Sequence, residues 1–252
     1  MPEMRHADAF LDPGVVRAYR HRPPYPESLI ERLAGLASAS NGIVLELGCG
    51  TGELARRLAP RVTSVEAVDP SAAMIVAGRA ERGGNAANLA WTTSTAEAYA
   101  YASCYALMIC AESLHWMDRS AIYARAREHL APDGAFAIVG RIEKAPWDDE
   151  FRALIPVYSL HQDWSPVSRD DLLGFGALSV VEEFATPFAP HRTTVDDYVE
   201  LQHSRAAFAR HRMTPGRAEE FDAAVRRMLA PHASDGSIEY GAAANVIWGR
   251  PA

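Results

Sequence analysis

The stretch Val44 to Gly52 reads V-L-E-L-G-C-G-T-G. Glycines at 48, 50 and 52 follow a short apolar run that holds one acid, Glu46. A helical pattern follows at once, apolar at Leu54, Ala55, Leu58 and Ala59. A buried strand, a glycine turn and a helix opening make a loop of the nucleotide-cofactor type. Each glycine there either takes a backbone angle closed to other residues or lets a ligand touch the main chain. The helix start adds N–H groups and a partial positive charge. Spacing narrows the ligand. A dinucleotide fingerprint, G-x-G-x-x-G, needs its last glycine at position 53, where the chain has Glu53. No lysine follows to make a phosphate loop. An acid facing the crevice at Glu53 repels a pyrophosphate, so the loop suits a less anionic ligand. A further acid, Asp69, ends the next apolar run. Ribose hydroxyls arrive at that position in nucleotide-binding α/β units, and a carboxylate accepts two hydrogen bonds from a vicinal pair. The remaining candidate is His115, just beyond the apolar run Tyr105 to Ala111. A histidine there can take a proton, since its pKa lies near the working pH, or can only shape the pocket.

E-L-G-C-G-T-G resembles the first motif of the class I S-adenosylmethionine (SAM)-dependent methyltransferases. The resemblance implies that Gly48, Cys49, Gly50 and Gly52 pass under the methionine part of SAM. It also implies that Glu46 orders the loop and the cofactor's amino end. V-D-P-S-A-A-M-I resembles the family's second motif, which gives Asp69 and Pro70 to the ribose and places Met74 near the adenine. The turn Thr95-Ala96-Glu97 holds the adenine position, with Thr95 where the family often has an aspartate. E-S-L-H-W-M-D and Y-R-H-R-P-P-Y-P resemble the trans-aconitate-methyltransferase-like, small-molecule branch. There Glu112 belongs with the cofactor, while His115, Trp116, Tyr19, Arg22 and Tyr25 flank the methyl and the acceptor. L-A-P-D-G-A-F resembles the family's turn before strand five, and beyond it the resemblance thins.

These groups need a frame. The apolar runs predict strands at Thr63 to Val68, Leu89 to Ser94, Tyr105 to Ala111 and Ala135 to Gly140, after the strand at Val44 to Leu47. Helices are predicted over Glu27 to Ala37, from Glu53, over Ala121 to Leu130, Trp147 to Tyr158, Val195 to Phe208 and Arg217 to Leu229. Val180 to Pro187 and Ser237 to Trp248 read as two closing strands. Prolines 23, 24 and 26 make an extended stretch before the first helix. The family implies a Rossmann-like α/β fold. Its sheet is seven-stranded and mostly parallel, with helices on both faces and an antiparallel last strand. The expected division is an N-terminal arm and covering helix over 1–40 and a SAM-binding domain over 41–252. Substrate walls fall within 141–235, with Trp147, Tyr158, Trp164, Tyr198, His203 and Arg205 as wall candidates.

Of the 252 residues, 48% are hydrophobic and 23% charged, enough apolar material for one α/β domain with insertions. A net charge of −7 argues against a nucleic-acid partner, which asks for a basic face. Three cysteines without paired or metal-ligand spacing point to buried thiols in the cytoplasm. The first residues lack an apolar signal core and no run is long enough to span a membrane, so no membrane partner is expected. No H-x-x-x-H with a nearby acid occurs, so no metal is expected. The reading is a methyltransferase with a small-molecule acceptor, as a monomer or homodimer, with Arg20, Arg22, Arg141 and Arg205 suiting an anionic acceptor. A non-catalytic SAM-binding regulator, a nucleic-acid or protein methyltransferase and a nicotinamide oxidoreductase stand as alternatives.

Overall fold

A computed structural model of the chain describes residues 6–160 and 168–252. In chain order the elements are α1 (Pro13–Ala18), α2 (Glu27–Ser38), β1 (Ile43–Leu47), α3 (Glu53–Leu58), β2 (Ser64–Asp69), α4 (Ala72–Ala80), β3 (Leu89–Thr93) and β4 (Tyr105–Ala111). There follow α5 (Arg119–His129), β5 (Leu130–Lys144), α6 (Asp148–Tyr158), α7 (Arg169–Leu172), β6 (Leu178–Ala185), β7 (Ala189–Thr194), α8 (Val195–His203), α9 (Pro215–Leu229) and β8 (Ser237–Pro251).

The chain forms two compact units. The larger holds residues 25–142, 166–187 and 243–252. Its strands run β3-β2-β1-β4-β5-β8-β6. The first five pair in parallel, and β8 pairs antiparallel with β6. Period-two alternation splits β1 between two cores. Val44 joins a cluster with Leu29, Leu33, Leu54 and Ile75, while Leu45 and Leu47 join one with Ile122, Tyr123 and Phe136. Helices α2, α3 and α4 therefore cover one face and α5 the other, as a parallel sheet requires. Beta-4 is buried almost throughout, from Tyr105 to Cys110, because both of its faces are roofed. This is the Rossmann-like α/β sheet that the motifs imply, with its last strand antiparallel.

The smaller unit holds residues 1–24, 143–165 and 188–242. Its core gathers Trp147, Phe151, Tyr198, Phe208, Phe221 and Tyr240, and the Phe208 and Phe221 rings stack at 4.8 Å. Beta-7 pairs antiparallel with the first part of β8, Ala189 opposite Ala242 through Thr194 opposite Ser237.

Several expectations are corrected. Among the described residues there are three late strands, not two. Beta-7 escapes the periodicity because A-P-H-R-T-T is polar and carries Pro190, which a strand with one pairing neighbour tolerates. The turn expected at Ala131 to Gly134 lies inside β5, where the register against β4 jumps between Tyr105 and Leu107 and absorbs the extra residues as a bulge. The helix expected over Val195 to Phe208 stops at His203, and a separate 3-10 turn covers Ala206–Phe208. Before the prolines the arm is helical at α1. Asp12 caps it by accepting from the Gly14 and Val15 amides, and Pro13 sits at its first position. Cys49 and Cys110 are buried free thiols, but Cys104 is exposed just before β4.

Candidate active site

Beta-1 delivers the chain into three left-handed residues, Gly48, Gly50 and Gly52, with φ of 67°, 56° and 65°. A side chain is barred at two of them by contact as well as by angle. A Cβ on Gly48 would lie 2.5 Å from Ser113 Cβ, and one on Gly52 2.3 Å from the Trp91 ring. The amides of Gly48 and Cys49 donate to the Val68 carbonyl at 2.8 and 3.0 Å, which binds the turn to β2. Gly48→Ala therefore costs about 2 kcal/mol or more of stability, the cost of αL backbone plus the Ser113 collision. Chemical denaturation checks this, and an unchanged midpoint contradicts it.

Asp69, at the tip of β2, is 7% exposed. Its Oδ2 accepts from the Gly50 amide at 2.8 Å and its Oδ1 from the Ser71 amide at 2.8 Å. Burial raises its pKa, opposed by those two bonds. One lone pair on each oxygen is thereby used and one remains. Ser71 in turn caps α4 by accepting from the Met74 amide. Met74 is buried and Pro70 exposed. Glu46 is 2% exposed, and one of its oxygens accepts from the Ala55 amide at 2.9 Å, inside the first turn of α3. Burial pushes its carboxyl up to about 8. Cys49 is buried between these acids, and burial raises its thiol pKa well above the ordinary value.

Glu53 does not stand free toward the crevice. Its Oε2 accepts from Arg141 Nη2 at 2.8 Å, and its Oε1 accepts from the Tyr25 amide at 2.6 Å and from Arg57 at 3.4 Å. The guanidinium of Arg141 also lies over the Tyr25 ring, 3.8 Å from its centroid. The expected repulsion of a pyrophosphate by Glu53 is thus cancelled by Arg141, and the glycine spacing alone speaks against a dinucleotide. Tyr25 is 5% exposed, so it is a wall of this cluster; burial raises the pKa of its hydroxyl.

Thr95 Oγ1 accepts from the Ala98 amide at 3.2 Å, so its hydroxyl serves its own turn first. Ala96 is buried, its carbonyl accepting from the Tyr101 hydroxyl, and Glu97 accepts from the Asp118 amide at 2.9 Å. After β4, Glu112 adopts φ of 53°, a strained angle for a residue with a side chain. It is held there at both ends. Its amide donates to the Val139 carbonyl at 2.9 Å, and its Oε1 accepts from the Arg141 amide at 2.9 Å. Ser113 donates to the Leu47 carbonyl at 2.7 Å, tying this turn to β1. His115 and Trp116 pack with ring centroids 4.6 Å apart, and Trp116 is 37% exposed. Burial lowers the His115 pKa, opposed by the Glu112 charge and reinforced by Arg119. The imidazole is therefore neutral near pH 7, the form able to accept a proton.

In the smaller unit Arg22 stacks on the Tyr19 ring at 3.9 Å and donates to the hydroxyl and carbonyl of Ser204 at 2.9 and 2.8 Å. Of the wall candidates, Trp147 and Tyr198 are core, joined by a 2.9 Å hydrogen bond. His203 is locked between the Phe208 carbonyl at 2.7 Å and Asp222 at 2.6 Å. Arg205 pairs with Glu143 at 2.9 Å, and Tyr158 packs on Phe221. Trp164 lies outside the described residues. Sequence reasoning missed the Arg141–Glu53–Tyr25 cluster, whose members lie far apart in the chain. It also missed Asn245, whose Oδ1 lies 2.2 Å from where a Cβ on Gly140 would sit, with Glu112 Oε1 at 3.4 Å from the same point. No motif marks it.

The family described as a methyltransferase domain matches residues 44–134. An uncharacterized methyltransferase of Mycobacterium bovis is 34% identical over 147 residues, 56% of this chain and 57% of the relative. The Saccharomyces cerevisiae protein named "Probable S-adenosylmethionine-dependent methyltransferase CRG1" is 26% identical over 120 residues, 46% of this chain and 41% of the relative. The chain thus spans about half the length of these curated relatives. A solved structure from Anaeromyxobacter dehalogenans shares the fold, with a TM-score of 0.63 at 24% identity over 91% of this chain and 97% of the other. The matched segment carries the glycine loop, Asp69 and the turn after β4 on a sheet of the same fold. By that match residues 44–134 are similar to the methyltransferase-domain family.

Proposed function

We propose that this chain binds SAM and transfers its methyl group to a small-molecule acceptor. The observation that carries the reading is the Asp69 carboxylate, buried at the tip of β2 and pinned by the Gly50 and Ser71 amides. Its remaining lone pairs fit the two hydroxyls of a ribose, and beside it Gly48 and Gly52 have no room for a side chain. Glu46, Gly48, Cys49, Gly50 and Gly52 then hold the methionine end, Asp69 and Pro70 the ribose, and Met74 with Thr95, Ala96 and Glu97 the adenine. Glu112 closes the cofactor side of the turn after β4. SAM supplies, when bound, a methyl group on a positively charged sulfur.

The chain's own part is to position, to exclude water and to move one proton. His115 Nδ1 or Nε2 accepts that proton from the acceptor's nucleophile, while Trp116 and Tyr25 flank the acceptor. An acceptor of small size is supported by the net charge of −7, which disfavours a polyanion. The three free thiols accord with a reducing, cytoplasmic compartment, and the protein is taken to work as a monomer or homodimer. Among the described residues no helix is long and apolar enough to cross a membrane.

Incubation with methyl-labelled SAM and separated cell fractions tests the acceptor class. Label is expected in the small-molecule fraction, and label confined to RNA or protein overturns it. His115→Gln should lower turnover at least tenfold with SAM affinity unchanged, the general-base contribution being about 10²–10⁴-fold. In the wild type the acidic limb of the turnover profile should fall below the ordinary histidine pKa. Burial lowers the pKa of His115, so its base form survives to lower pH. A profile identical in wild type and variant removes His115 as the base.

A further inference from the structure

The four arginines that suit an anion are not equal in the folded chain. Arg22 is spent on Ser204, Arg141 on Glu53 and Arg205 on Glu143. Arg20 has no carboxylate partner among the described residues; its Nε donates only to His21 Nε2, at 3.3 Å. Arg20 lines a cavity of about 680 Å³ in the smaller unit, walled by α1, the turn after it, α8 and residues 210–211. Arg17 lines the same cavity and has neither hydrogen bond nor ion pair among the described residues.

The acids around this cavity are already matched. Asp12 accepts from the Gly14 and Val15 amides and faces His211 at 3.4 Å. Glu200 is paired with Arg210 at 2.9 Å, and Arg210 reaches Asp222 at 3.0 Å. His21 and His203, which also line the cavity, face Asp197 at 3.2 Å and Asp222 at 2.6 Å. What is left over is two guanidiniums three residues apart on one continuous helical stretch, with Tyr19 between α1 and the turn in helical conformation. Both side chains are exposed, and like charges at that spacing repel weakly on a helix, a repulsion that an anion between them would relieve. A single carboxylate neutralises one guanidinium; a phosphate dianion takes both, through the fork geometry that arginine matches. The cavity's volume is that of a small-molecule site.

We infer that the cavity bounded by Arg17, Arg20 and Arg210 is a binding site for the phosphate group of a small phosphorylated molecule. This inference does not rest on methyl transfer. Titration calorimetry of the full chain at low ionic strength tests it, with inorganic phosphate, ribose 5-phosphate and citrate as probes. One phosphate or sugar phosphate per chain should bind with a millimolar or tighter Kd. Tighter binding of the ester than of inorganic phosphate identifies an esterified ligand, and the reverse identifies free phosphate. The Arg17→Gln/Arg20→Gln pair should weaken binding at least tenfold with the melting temperature unchanged, because neither side chain holds the fold together. Arg20→Lys should fall between wild type and the pair, keeping the charge and losing the fork. Absence of saturable phosphate binding overturns the site. So does equal binding by wild type and double variant, and tighter binding of citrate than of either phosphate overturns the assignment of phosphate.

Discussion

Asp69→Ala is expected to weaken SAM binding by about 1.5–3 kcal/mol, the range for hydrogen bonds to a charged group. The same substitution also frees the Gly50 and Ser71 amides, so part of the loss comes from a loosened glycine loop. Adenosine and 2′-deoxyadenosine separate the two contributions. The wild type should prefer adenosine, because one ribose hydroxyl is missing from the other ligand, and the variant should bind both alike. Asp69→Asn should behave nearly as Ala does, since its NH₂ group must face one of two amide donors. A variant that keeps the wild-type preference for adenosine sinks the ribose assignment.

Arg141→Ala is expected to cost about 2–3 kcal/mol of stability, less than the 3–5 kcal/mol of a fully buried pair. Arg141 and Glu53 retain side-chain exposures of 13% and 22%, and that solvent access sets the discount. The loss has two sources, the second enlarged by burial. Glu53 keeps its charge with only Arg57 beside it, the Tyr25 ring loses the guanidinium over its face, and Tyr25 itself is buried. For a chain of this size the melting temperature should fall by about 5–10 °C. The double variant Arg141→Ala/Glu53→Gln should recover part of that loss, since no unmatched carboxylate remains. A double variant no more stable than the single one contradicts the ion pair as the source.

The larger unit was legible in the chain because its signals are local. Beta-1, β4 and the glycine turn announce themselves through unbroken apolar runs and three glycines whose left-handed angles no other residue adopts easily. Asp69 could be picked out because its role depends on one position at one strand end. The Arg141–Glu53–Tyr25 cluster could not, since β5, α3 and the segment before α2 meet only after the sheet is assembled. Glu53 shows the limit well. Read alone it is a repelling acid, and only its partner from β5 turns it into an anchor. The smaller unit was harder for a related reason. Its aromatics and His203 look like pocket residues in a list of types, yet they are core, held by Phe208 and Phe221 and by Asp222. Beta-7 is mostly polar and, among the described residues, pairs with β8 alone, so no apolar alternation marks it.

The central claim, a SAM site built on the glycine loop and Asp69, is tested most directly by calorimetric titration of the full chain with SAM, S-adenosylhomocysteine and NADH. The account predicts micromolar, one-to-one binding of the first two, weakened by about 1.5–3 kcal/mol in Asp69→Ala, and no binding of the third. Binding of NADH with none of SAM, or no binding of SAM by the folded chain, contradicts it.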